Sequence, residues 1–322
     1  GGWQYSVMSR QTGDVFAAQT PAPGWNGDHF EYAVLAHDAA GLGATNGPHA
    51  FSVGHPAIAL SPAQFSDVWL LPDSATGRVL TVSNAGPGAL TWQLHTESQG
   101  FSDDVESGTN GWVHSGVSEQ WHITTERAFS PTHAWYCGDE TAGTYLNNMD
   151  ARLDTPPVLL APGSRLTFRH WPDLEIQSAA ISWDGAVVEI STNSGGSFAT
   201  IAPVGGYPYV VNGGWGQPLP GGSGVFAGVG GWTQAVFDLS AYAGCEAILR
   251  FRVGSDVVND YLAQGWFVDD ILVSPGEGTS EWLVVSATNG SVGGHAATNL
   301  DLAFSSAGMT QGMRFAKSLV FR

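Results

Sequence analysis

The chain has 322 residues, with 11 Lys and Arg against 29 Asp and Glu for a formal net charge of −18. That balance repels phosphate backbones and anionic lipid, which argues against nucleic acid and membrane surfaces as partners. No apolar run nears the roughly 18 residues of a membrane span, and 43 Gly, 17 Pro and 13 Trp with only 12% charged residues suit short strands and tight turns rather than long helices.

The length exceeds the usual size of one domain, so two or three are expected. The opening GGWQYSVMSR lacks the basic end and apolar core of a signal peptide, so the chain reads as a mature piece of a secreted or cell-surface protein. In residues 1–55, Phe30, Tyr32, Val34 and Ala36 alternate, a Gly/Asn/Pro-rich turn follows, and a last strand is expected from near His49. The run Tyr32, Val34, Ala36, Asp38, Gly41 resembles the last two strands of a fibronectin type III domain, with too little chain before it for seven strands.

Residues 56–98 and 279–322 read as two parts of one unit. Val82, Asn84, Gly86, Leu90 and Trp92 resemble the opening strands of a BACON-like immunoglobulin-fold domain. Trp282, Leu283, Gly290, Leu302, Phe304, Gly308 and Gly312 resemble its remaining strands. On that reading residues 99–278 are inserted in a loop, which close-set termini make easy. The rival is three domains in a row, which leaves 57–97 a stub with too little apolar surface to fold alone.

Within 99–278, Ala247, Leu249, Phe251 and Val253 alternate with Ile248, Arg250 and Arg252, the pattern of a strand with one wet face, and Phe267 to Val273 gives another strand behind an acidic turn. Phe101 with Asp104 and Glu106, Gly111-Trp112, Ser130 with His133, Trp135-Tyr136-Cys137-Gly138 and Gly265-Trp266 with Asp269-Asp270 are similar, in order and spacing, to MAM-like jelly rolls beside secreted bacterial peptidases of the immune inhibitor A type. The fold class expected is therefore all-β, multidomain β-sandwiches with a jelly roll inserted in an immunoglobulin-like domain. The resemblance implies a non-catalytic module, often calcium-stabilised, and no His-Glu-x-x-His, Gly-x-Ser-x-Gly or phosphate-binding glycine loop occurs in the chain.

Calcium takes six to eight oxygen ligands from separate loops. One candidate set is Asp103, Asp104, Glu106, Asp139, Glu140, Asp269 and Asp270, since the first and last strands of a jelly roll are neighbours; the other is Glu175, Asp184 and Asp256. Against both stands the reading of Asp and Glu as turn-capping acceptors. Glu175 with Glu189 is also weighed as a glycosidase acid/base pair. Ten scattered histidines show no zinc-ligand spacing, and His122, His133 and His170, each near a Trp, suit hydrogen-bonded packing.

Trp92, Trp112, Trp121, Trp135, Trp232, Trp266 and Trp282 are expected in cores. The Gly/Pro-rich excursion 202–231 carries Tyr207, Tyr209, Trp215 and Phe226, as a cover for the sheet, a glycan-stacking surface or a protein contact. Cys137 and Cys245 either form a disulfide, closing about 108 residues for about 4.7 kcal/mol in the chain-entropy model, or are two buried thiols. Asn289-Gly290-Ser291 fits a glycosylation acceptor, a pattern frequent by chance. The expected role is an accessory or adhesive region that binds glycan or extracellular protein, or positions a neighbouring catalytic domain. The alternative is a self-associating unit of an extracellular sheath or filament, whose edge strands could accept a partner strand.

Overall fold

A computed structural model of the chain describes residues 6–12, 16–17, 29–37, 40–52, 54–98, 100–258, 263–276 and 282–322. Strand Glu246–Gly254 shows why a sandwich forms: Ala247, Leu249, Phe251 and Val253 are buried, while Ile248, Arg250 and Arg252 on the other face are only partly covered. A period of two gives one strand an apolar and a polar side, and two such sheets bury their apolar sides together.

The first sheet has seven strands: Phe101–Asp103, Trp121–Thr124, Ala134–Cys137, Arg165–Leu174, Gly228–Val229, Thr233–Asp238 and Gly265–Ser274. The second has six: Val113–Val117, Asp150–Asp154, Val158–Leu159, Gly185–Ser191, Ala199–Ile201 and Glu246–Gly254. All pairings in both are antiparallel. One core joins them, with Trp112, Trp135, Phe168, Phe226, Phe251 and Trp266 at its centre. The first strand does lie beside the last, Phe101 opposite Val273 and Asp103 opposite Ile271.

A second core belongs to residues on either side of this sandwich. Strand Ala75–Asn84 pairs from Ala75 to Ser83 with Ala297–Ser305, and Leu90–Ser98 pairs with Asn289–Val292 and Lys317–Phe321. Leu80, Val82, Trp92, Leu300, Leu302 and Phe304 fill it. Buried Asn84 knits the two segments: its Nδ2 donates to Gly88 O (2.5 Å), Val292 O (3.3 Å) and Gly293 O (3.2 Å), and its Oδ1 accepts from Ala57 N (2.9 Å) and Gly86 N (3.1 Å). The two cores also touch, since Arg314 N donates to Gly244 O at 2.7 Å and a Cβ on Gly244 would lie 2.7 Å from Met313 Cβ.

Several expectations need correcting. The hairpin His29–His37/Gly43–Ser52 is present, but its second strand starts at Gly43, so the stretch expected as a turn is paired backbone, with Tyr32 opposite His49. Asp38 and the expected boundary at 278/279 lie outside the described residues. Trp92, Trp112, Trp121, Trp135 and Trp266 are buried, whereas Trp232 and Trp282 are only partly so.

The disulfide is not formed, and both thiols are free. Cys137 pairs with Trp266 next to Gly265, whose partner is Asp173, while Cys245 lies near Leu160 by the other end of that strand, where Arg165 pairs with Ser274. Eight residues of strand place the ends about 26 Å apart, and a bridge needs Cα atoms within about 7 Å. Burial raises the Cys137 thiol well above its ordinary range.

Candidate functional site

The acidic residues at the first and last strands act as acceptors that hold one loop in place. Residues 125–133, between Trp121–Thr124 and Ala134–Cys137, fold back across the outer face of the seven-stranded sheet. Asp269 Oδ2 accepts from Phe129 N (2.7 Å) and Ser130 N (3.0 Å), and Asp270 Oδ1 accepts from Ser130 Oγ (2.6 Å). Glu106 accepts from Thr132 N (2.9 Å), Thr132 Oγ1 (2.6 Å) and His133 N (2.7 Å), and pairs with His133 Nδ1 (2.9 Å). Hydrogen bonds from the side chains of Thr132 and His133 draw the Glu106 carboxyl down to about 2. Asp270 holds a left-handed φ of 48°, beside a register shift in the strand pairing, which turns its side chain toward the loop.

The rest of that candidate set turns elsewhere. Asp103 accepts from Val105 N (2.8 Å) and Trp112 Nε1 (2.7 Å). Asp104 accepts from Glu106 N, Asp139 accepts from Thr141 N and Ala142 N in its own turn, and Glu140 lies against Thr124 and His122. Among the described residues no group of three or more His, Cys, Asp or Glu side chains is arranged to hold a metal ion.

Glu175, Asp184 and Asp256 do meet at one end of the sandwich, all buried. Asp184 Oδ2 accepts from the Tyr145 hydroxyl and Oδ1 from Asp256 N (2.7 Å), and Tyr145 Oη in turn accepts from Glu175 N (3.1 Å). Burial, reinforced by the charges of Asp256 and Glu175 and opposed by these donors, raises Asp184 to about 7. This is the one candidate carboxylate set that the fold gathers, and its cost lies in the desolvation of charge.

Glu189 is not paired with Glu175. It sits on the outer face of the six-stranded sheet, where Arg252 Nη1 donates to it at 2.9 Å and Arg250 Nη1 lies 3.9 Å away. Arg250 also forks onto Asp154 (2.7 and 2.9 Å), and Arg252 onto Asp150 (2.6 Å). Such a crossed ladder of charge-assisted pairs ties strand Gly185–Ser191 to Glu246–Gly254 and on to Asp150–Asp154.

The excursion 202–231 is mostly a cover. Tyr209–Val211 pairs with Ile181–Ser182 and Gly224–Val225, and Tyr207 Oη donates to Ile201 O (2.7 Å) while accepting from Val188 N (3.0 Å). A Cβ on Gly254 would lie 2.5 Å from Gln217 Oε1, and one on Gly185 2.7 Å from Val225, so glycine is what lets the loop rest on the sheet. Tyr207 and Tyr209 pack against the core, Phe226 is inside it, and Trp215 alone of the four projects, 69% exposed.

A feature the sequence did not reveal lies beneath loop 125–133. Arg127 sits over Trp171 (4.3 Å) and Phe267 (4.7 Å), Arg169 over Phe129 (4.5 Å), and Trp232 contacts both Phe129 (5.8 Å) and Trp171 (6.2 Å). The alternation that places Trp171 and Arg169 opposite buried His170 and Phe168 was available as a signal; the crossing of the loop was not.

These features define an all-β protein of β-sandwich build, with strand-borne acids and arginines serving the fold. No protein-family model matches the chain. It is 28% identical over 185 residues to Bacillopeptidase F of Bacillus subtilis (strain 168), a match covering 54% of this chain and 11% of that protein. Among solved structures, the K1 cleaved adhesin domain of Lys-gingipain from Porphyromonas gingivalis W83 is 16% identical, over 55% of this chain and 98% of that one, with a TM-score of 0.35. A carbohydrate-binding module in complex with β-1,4-galactotriose is 14% identical, over 53% and 94%, with a TM-score of 0.33. Neither likeness, at that score, bears on what this chain binds. Among the described residues no helix is long and apolar enough to cross a membrane.

Proposed function

We propose that the chain is a non-catalytic accessory region of a secreted or surface bacterial protein, which binds glycan or extracellular protein and positions a neighbouring domain. The observation that carries this is the match to a small share of a much longer peptidase. The engagement of Asp103, Glu106, Glu189 and Asp269 in internal hydrogen bonds supports it. Sequencing the gene on both sides tests it: a peptidase or other hydrolase domain is expected next to this region, and repeated sandwiches on both sides would overturn it. The domain division proposed is 1–55, then 56–98 with 279–322, then 99–278 inserted between them, supported by the pairing of Ala75–Asn84 with Ala297–Ser305.

Calcium support is proposed at Glu175, Asp184 and Asp256, which the fold buries close together without arranging them as a ligand set in this structure. The corner at Glu106 and Asp270 does not fit calcium in this arrangement, its oxygens being directed at N–H and O–H donors. Exhaustive chelation is expected to lower the melting temperature, and an unchanged melt removes calcium from the reading. A second reading, self-association through edge strands, rests on Val113–Val117, whose Val113 and Val117 are each 61% exposed. Sedimentation over a hundredfold range of concentration decides it.

A further inference from the structure

The outer face of the seven-stranded sheet carries a cluster unlike the charged ladder opposite. Among the described residues Arg152, Arg250 and Arg252 have carboxylate partners, whereas Arg127 and Arg169 have aromatic ones. In a chain with 29 acids and 11 bases that difference is unexpected. Two acids of this sheet accept from backbone amides: Asp269 from Phe129 and Ser130, and Asp173, which also feels the charge of Arg127, from Gln264 N at 3.2 Å. Arg127 Nη1 is buried with no hydrogen-bond partner. Phe129 is 43% exposed, and Trp171, Trp232 and Arg169 are half-buried.

Aromatic faces attract the apolar faces of sugar rings, and a guanidinium meets a carboxylate with two parallel hydrogen bonds. We infer that this face binds an acidic saccharide, a pyranose ring lying against Trp232 and Phe129 with its carboxylate on the partly exposed Arg169 guanidinium. The stack of Arg127 on Trp171 and Phe267 stiffens the platform and adds positive charge behind it. The loop pinned by Glu106, Asp269 and Asp270 supplies Phe129, so the acids hold the ligand surface in shape. This deepens the accessory-binding reading and rests on it.

The test is binding of the intact chain to polygalacturonate, alginate and hyaluronan by affinity electrophoresis and calorimetry, with β-1,4-galactan and poly-glutamate as controls. Expected are salt-sensitive binding to at least one acidic polysaccharide and little to either control. Arg169→Gln should weaken it about tenfold, the loss of one charge-assisted contact, and Arg169→Lys should recover part of it. Trp232→Phe keeps a ring in place and should retain most binding if the fold is intact. Absence of binding to all three acidic polymers, equal binding to poly-glutamate, or unchanged affinity in Arg169→Gln at an unchanged melt overturns the proposal. Binding to galactan alone also overturns it while leaving the accessory role standing.

Discussion

Trp266 in the larger sandwich touches Trp121, Phe168, Phe226 and Phe251, while in the smaller sandwich Trp92 meets, among the described residues, the one ring of Phe321 amid leucines and valines. The polar interior differs in the same sense. The larger core closes over His170, Glu175, Asp184 and Asp269, and the smaller one holds Asn84 with both ends of its amide engaged. A core rich in large rings buries enough apolar surface to offset charged groups, whereas the smaller one, in which Trp92 Nε1 is buried without a hydrogen-bond partner, leans more on what Asn84 satisfies. The two should therefore fail differently when probed.

The largest effect is expected from Trp266→Ala, which removes a fully buried ring from the centre of the larger core. Phe or Trp to Ala in a core costs about 3–5 kcal/mol. Calorimetry should show the larger transition lowered with the smaller one little moved, and a common shift of both would mean that the two cores melt as one unit.

Next is Asp184, raised from 3.8 to about 7 by burial. The folded state then holds a proton that the unfolded state has released, so stability is greatest below about pH 4 and is lost as pH rises through 7. The full span is worth roughly 4 kcal/mol. His170 acts in the opposite direction: burial lowers it from 6.5 to about 4, so its contribution is lost as pH falls from 6.5 toward 4. Its Nδ1 accepts from Trp266 Nε1 (3.2 Å), which protonation would break. Comparing Asp184→Asn with the parent from pH 4 to 8, in chelator, isolates the first group; a pH-independent difference would show that Asp184 is ionised in the fold. Added calcium should flatten the parent's curve by taking the proton's place.

The strands were legible because period two survives wherever one face is wet, as at Ala247 to Val253, while the joining of 56–98 with 279–322 was expected from a family resemblance at Val82, Asn84 and Trp92, whose strands pair with residues 289–305. The role of the acids was not. Asp and Glu look the same in sequence whether they meet a cation or a backbone amide, and only the fold of loop 125–133 shows that Asp269 and Glu106 meet amides. Trp232 was misplaced because a ring over an outer face and a ring in a core share the same residue type, and what separates them is the neighbour Phe129, over a hundred positions away. The free thiols had a similar cause, since nothing in sequence tells which end of a strand a cysteine occupies.

In the smaller sandwich Asn84→Ala is expected to cost about 2–3 kcal/mol, because buried and part-buried groups at Ala57, Gly88 and Val292 lose their partner at once. Only the smaller transition should move. If the larger one moves equally, the contact of Arg314 with Gly244 couples the cores more strongly than their separate packing.

The smallest effect is expected from Glu106→Gln. Its carboxyl lies at the surface, and its hydrogen bonds to Thr132 and His133 tie down the loop rather than the core. Glutamine keeps one oxygen acceptor but replaces the other with a donor, which Thr132 N–H and O–H cannot both satisfy. Protection of the Phe129, Ser130, Thr132 and His133 amides against exchange should fall at pH 7 with a nearly unchanged melt, and the parent's protection should fall to that of the variant only when the pH nears the Glu106 value of about 2. Fast exchange there in the parent at neutral pH would mean the loop is not latched, and the contrast between a pinned aromatic face and a plainly polar one would lose its physical basis.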